Sequence, residues 1–181
     1  MFGWQHCILL CLAAVCIQPA LSIKASFERF EQFFGNEYLD FALRVRKYNR
    51  TAMTLNGTIF VNQALDNTIL FATDVFLSRL GNQQFQHYPL HLPTGGLCDF
   101  FKHLHEEYES VIEDIVNVPL LDECPITPRA MHVVDKLFPV EVLPDTLSNG
   151  LWKMVISGTL NETIVIRYMM SVRLTDDYMS I

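Results

Sequence analysis

Cysteine is scarce in this chain. Of the five in 181 residues, Cys7, Cys11 and Cys16 crowd into an apolar stretch at the N-terminus, and only Cys98 and Cys124 stand beyond it. Such a chain is neither a disulfide-dense mini-scaffold nor a multi-cysteine metal cluster. Positive charge is short as well: 13 Lys and Arg against 20 Asp and Glu give a net charge of -7. That balance does not build a surface for phosphates, so nucleic acid is not expected as a partner. The one basic cluster, Arg44, Arg46, Lys47 and Arg50, alternates with apolar residues and reads as the solvated face of a strand.

Catalytic signatures are missing too. There is no Gly-x-Ser-x-Gly elbow, no His-Glu-x-x-His and no glycine-rich phosphate loop, and the chain is not expected to be an enzyme or to carry a cofactor. His87 and His91 are four apart, and His103 and His105 lie beside Glu106 and Glu107. Zinc needs three or four convergent ligands, and Pro89 breaks the strand between the first pair, so no metal site is expected. No run approaches the roughly 20 apolar residues of a membrane helix. The uncharged run Cys7 to Ile17 leads instead to Ala20-Leu21-Ser22, whose small residues suit a signal peptidase. Residues 1–22 are therefore expected to be a signal peptide and residues 23–181 a single secreted domain, long enough for one core. In an oxidising compartment Cys98 and Cys124 are expected to pair.

What is present is β periodicity. Leu39, Phe41, Leu43 and Val45 alternate with Asp40, Arg44 and Arg46, and Met53, Leu55, Ile59 and Val61 continue the pattern after an Asn49-Arg50-Thr51 turn. The run 68–80 is apolar on both faces, as expected of a strand that is central or covered by a helix. Residues 84–92 read as a short edge strand broken by Pro89, and Met131 to Phe138 as another strand. The clearest signal is C-terminal: Trp152, Met154 and Ile156, a Leu160-Asn161-Glu162 turn, then Ile166, Tyr168, Met170, Val172 and Leu174 form a long hairpin. Residues 23–36 carry four phenylalanines at a spacing that fits helix or irregular strand and stay unassigned. Between the cysteines, Phe101, Leu104, Tyr108, Val111 and Ile115 recur at helical spacing, which predicts one amphipathic helix ended by Pro119. Six or seven strands, one helix and no βαβ alternation argue for an antiparallel β-sandwich.

Three sequons, at Asn49, Asn56 and Asn161, fall at turns or on predicted polar faces, where an N-linked glycan can be carried. The order of leader, Phe-Glu-rich start, Tyr48-Asn49-Arg50-Thr51 with Asn56-Gly57-Thr58, Cys98-Asp99-Phe100-Phe101 and Cys124-Pro125-Ile126 resembles a large insect family of secreted proteins. That family is distantly related to the MD-2-related lipid-recognition (ML) proteins and the GM2 activator, and includes the Che chemosensory proteins of taste hairs. The resemblance implies a mainly β fold, an antiparallel immunoglobulin-like β-sandwich (ML-like) with one amphipathic helix. It also implies a hydrophobic pocket between the sheets for a lipid or other apolar cue. Those better-known relatives carry more disulfides than the single pair available here.

The expected function is thus a secreted, non-enzymatic binding protein for a lipid or other hydrophobic small molecule, with a role in chemosensation. Inward residues Phe41, Leu43, Met53, Leu55, Phe71, Phe101, Met154, Ile166 and Met170 are the candidates to line its pocket. Burial of an alkyl chain would supply roughly 0.8 kcal/mol per methylene. The alternative is a secreted accessory module with a solid core that docks on a membrane receptor ectodomain.

Overall fold

The computed structural model describes residues 22–90, 94–144 and 147–177; the expected signal peptide lies almost wholly outside them. The first strand, β1 (Ser22–Phe34), occupies the stretch that sequence periodicity leaves unassigned. It is followed by β2 (Leu39–Lys47), β3 (Met53–Val61) and β4 (Leu70–Ser78), then by the short β5 (Gln86–Tyr88) and β6 (Gly95–Gly96). After the helical segment come β7 (Ile115–Val116), β8 (Arg129–Lys136), β9 (Gly150–Leu160) and β10 (Thr163–Asp177). Two antiparallel sheets result, one in the order β1-β10-β9-β4-β5 with β6 also on β4, the other β2-β3-β8-β7. They pack face to face, because each buried cluster draws side chains from both.

Alternation decides what each sheet turns inward. At one end of the sandwich Leu39, Val61, Ile69, Met131 and Ile166 meet Leu97, Cys98 and Ile126. At the other, Phe27, Leu77, Trp152, Val172 and Leu174 meet Leu55 and Val133. Phe138 closes that end edge-on against Phe27 at 5.4 Å. The turns follow the same local logic. Asn49 accepts hydrogen bonds from the Thr51 and Ala52 amides at 2.8 Å each, which shapes the β2–β3 connection. Asn161 and Glu162, both left-handed, make the two-residue turn that suits the twist of the β9–β10 hairpin.

The helical segment departs from the single long helix predicted. Helix α1 (Leu97–Glu107) ends at Tyr108, whose backbone leaves helical geometry at φ -137° and ψ 48°; one further turn, α2 (Glu109–Ile112), follows. Ile115 is in β7, paired with Val133 of β8, rather than on a helical stripe. Tertiary anchors explain the break. Lys136, itself buried, donates from Nζ to the Ser110 carbonyl at 2.6 Å and to Asp114 Oδ2 at 3.1 Å, holding this turn to the sheet. The β-branched pair Ile115-Val116 then finds ladder partners that a helix could not provide.

The start of α1 is tied down by residues distant in sequence. Asn67 Oδ1 accepts from the amides of Cys98 at 3.0 Å and Asp99 at 3.2 Å, serving two otherwise unpaired donors of the first turn. A Cβ at position 96 would collide with the Asn67 side chain, so Gly96 is what lets that asparagine approach. Cys98 pairs with Cys124 as expected, with Cα atoms 5.7 Å apart and a separation of 26 positions in sequence. Closing a loop of that length stabilises a domain by roughly 3.5 kcal/mol in the chain-entropy model. Replacing both cysteines by alanine is expected to lower the unfolding free energy in urea by about 3 kcal/mol, with the far-ultraviolet spectrum of the folded protein retained; a loss under about 1 kcal/mol would mean that the loop is already ordered in the unfolded chain.

Candidate functional site

The candidate site is the space between the sheets, and the predicted pocket residues divide between its two buried clusters. Phe41, Phe71 and Phe101 pack on the cluster that contains Ile166. Leu43, Met53, Met154 and Met170 pack on the opposite cluster, which contains Leu55. The two clusters are densest at the ends of the sandwich. Between them, burial loosens. Met154 stands mid-strand on β9, the middle strand of its sheet, beside Met170 on β10. Both face inward, and both keep part of their surface accessible, as do Phe30, Phe41, Leu43 and Ile59. Close packing would bury a central inward side chain completely. These positions are therefore less tightly packed than the clusters on either side.

Polar chemistry in that space comes from Tyr168 on β10. Its ring lies 4.4 Å from Phe41 and 5.8 Å from Phe30, centre to centre, and Phe30 and Phe41 are 5.7 Å apart, so three rings bridge the two sheets. Burial pushes the Tyr168 phenol well above the ordinary tyrosine range. Its hydroxyl makes no hydrogen bond to any described residue, although buried tyrosines usually find one. Gln32, its register partner on β1, cannot serve: Nε2 donates to the Leu39 carbonyl and Oε1 accepts from the Phe41 amide, both at 2.7 Å. In the other direction Tyr168 is level with Ile156 and then Thr73 on β4. Thr73 is half-buried and also lacks a side-chain hydrogen bond. Two free hydroxyls thus flank Ile156, about 10 Å apart by strand spacing.

Sequence reasoning placed Tyr168 on the inward face but could not see that its hydroxyl goes unpartnered. It missed Phe30, whose strand shows no clean alternation. Of the histidines, His105 Nε2 donates to the Pro119 carbonyl at 2.8 Å, and His87 lies 3.9 Å from Asp74; His91 lies outside the described residues. No group of three or more His, Cys, Asp or Glu side chains is gathered for a metal among the described residues. The basic cluster Arg44, Arg46, Lys47 and Arg50 is exposed on and beyond β2. Searches against protein-family models and against curated proteins return no match to this chain.

The three sequons differ sharply in their surroundings. Asn161 is exposed at the β9–β10 turn and Asn49 at the β2–β3 turn, where its Oδ1 rather than its Nδ2 is engaged. Asn56 is half-buried, and its Nδ2, the atom a glycan would take, donates to Asp135 at 2.8 Å and Thr54 at 3.1 Å. In a secretory host, Asn161 and Asn49 are expected to be modified and Asn56 to stay bare; peptide mapping after enzymatic deglycosylation in heavy-oxygen water reads this, and a fully occupied Asn56 would contradict the bonding seen here.

Tyr168 also sets an alkaline limit. An unfolded tyrosine ionises near pH 10, while the folded one resists, so the native state holds its proton where the unfolded chain has lost it. Stability is therefore intact below about pH 10 and falls above it, by up to about 1.4 kcal/mol per pH unit. Urea unfolding of wild type and Tyr168→Phe at neutral pH and above about pH 10 is expected to show the variant losing less at the alkaline end. Parallel losses would place the phenol in contact with water.

Proposed function

We propose that this is a secreted, non-enzymatic protein that binds a lipid or other hydrophobic small molecule between its two sheets. On this reading the fold is the immunoglobulin-like sandwich of the ML-related insect family that its motifs resemble, and chemosensation is its setting. The observation that carries the proposal is the loosened centre of the sandwich: inward Met154, Met170, Leu43 and Phe41 keep accessible surface around an unpartnered Tyr168 hydroxyl. Apolar side chains would hold an alkyl or ring system by exclusion of water. Unbranched methionines let the gap adapt to ligands of different outline. Tyr168 would orient the guest by donating to, or accepting from, its one polar group, and the Thr73 hydroxyl is placed to do the same on the far side of Ile156.

Native mass spectrometry of protein secreted from insect cells and deglycosylated, before and after organic extraction, tests this reading. An extra mass removed by solvent is expected. A single bare mass, with no uptake from a panel of fatty acids, sterols and long-chain hydrocarbons, would overturn it in favour of a solid-core module that docks on a receptor ectodomain.

Substitution sharpens the test. Met154→Trp should abolish uptake while leaving the melting temperature unchanged or raised, because the larger ring fills the gap. In a filled core the same change would cost about 1–3 kcal/mol. Tyr168→Phe should spare a pure hydrocarbon ligand and weaken one with a hydroxyl or carbonyl roughly tenfold, the worth of one hydrogen bond; equal binding of both ligand types by the variant and wild type would remove Tyr168 from the site.

A further inference from the structure

The outer face of the larger sheet carries a second concavity, away from the gap between the sheets. Leu151, Met169 and Ser171 point outward from β9 and β10, yet only 5%, 8% and 5% of their surface is exposed. Outward residues this deeply buried need a cover. The segment after β4 supplies it, bringing Gln83 and Phe85 over the strands to join Glu28, Arg29 and Lys153 around a cleft of about 170 Å³.

Charge in the cleft is unbalanced. Glu28 pairs with Arg173, and Arg29 pairs with Glu31 at 2.7 Å. Lys153 has no such partner among the described residues: its Nζ sits 4.3 Å from the centre of the Phe85 ring and 4.6 Å from that of Phe76. Two aromatic faces hold the ammonium in place without neutralising it. Ser171 is the register neighbour of both Lys153 and Arg29, at the floor of the cleft. Its hydroxyl makes no hydrogen bond to any described residue and is not a sealed, unsatisfied group, so it opens to the cleft as a free donor and acceptor.

We propose that this cleft binds a small organic monocarboxylate, with its carboxylate between the Lys153 ammonium and the Ser171 hydroxyl and its apolar body on Met169, Leu151 and the Phe85 ring. One uncompensated cation suits a single negative charge rather than a phosphate dianion. A thioether, an aliphatic side chain and an aromatic wall suit an apolar body rather than a sugar. The volume is close to the roughly 150 Å³ that encloses a benzene ring, which sets the guest at about six to eight heavy atoms. The site is independent of the gap between the sheets.

Methionine methyl groups report on both places, since Met169 lies in the cleft and Met154 and Met170 face inward. The experiment titrates protein carrying ¹³C-methyl methionine with hexanoate, and with hexanol as the uncharged counterpart. The expected result is a saturable shift of the Met169 methyl with hexanoate whose midpoint is separate from that of any response at Met154 and Met170, which report on the gap between the sheets. Hexanol should bind roughly tenfold more weakly, and Lys153→Gln should weaken hexanoate by a similar factor. Ser171→Ala leaves the fold intact because the hydroxyl supports nothing in the protein, and should weaken hexanoate severalfold. Absence of a saturable shift at Met169, equal responses to hexanoate and hexanol, indifference to Lys153→Gln, or a response at Met154 and Met170 alone would each overturn the proposal.

Discussion

Strand β10 is hydrogen-bonded along both edges, to β1 on one side and to β9 on the other, and that double pairing is the constraint on which the rest depends. A slip of one residue would turn every inward side chain outward. The left-handed pair Asn161 and Glu162 fixes the register from the hairpin end, and the burial of Ile166, Val172 and Leu174 at 0%, 1% and 2% exposure penalises any other choice. With the register set, successive residues of this strand serve opposite faces. Tyr168 and Met170 look into the gap between the sheets, while Met169 and Ser171 form the floor of the outer cleft.

The distribution of packing says where stability resides. Both dense clusters lie at the ends of the sandwich, one capped by α1 with its disulfide and the Leu65 to Ile126 bridge, the other by Phe138 and the residues around it. The middle contributes less. A domain that closes both ends firmly can leave its centre loosely filled, because burial at each end offsets the contacts forgone between them. Tyr168 fits that division: it is half-buried between the clusters, and its hydroxyl is not among sealed, unsatisfied groups.

Much of this was legible in the chain. The two-residue period of β2, β3, β9 and β10 gave their inward faces correctly, and the turn residues between them marked the hairpins. β1 escaped because register shifts between Phe27 and Arg29 and between Gln32 and Phe34 break the alternation twice within one strand. The predicted helix ran too far because Tyr108, Val111 and Ile115 keep helical spacing while the buried Lys136, from a strand some 20 residues later (26 beyond Ser110), decides their fate. No pattern in the sequence shows that Gln83 and Phe85 fold over the outer sheet face. Nor does any pattern reveal which inward hydroxyl finds a partner, since both depend on contacts remote in sequence.

Gln32 closes one side of the sandwich with two hydrogen bonds to the backbone of β2, at Leu39 and Phe41. Those are groups that β2, an edge strand, would otherwise offer to any extended chain. Further along the same strand, Arg44, Arg46 and Lys47 are exposed, and a second copy approaching there would bring like charge against like charge. The glutamine and the cations together make this edge a poor template, so the sheet ends at β2 and copies of the molecule have no strand register there on which to stack.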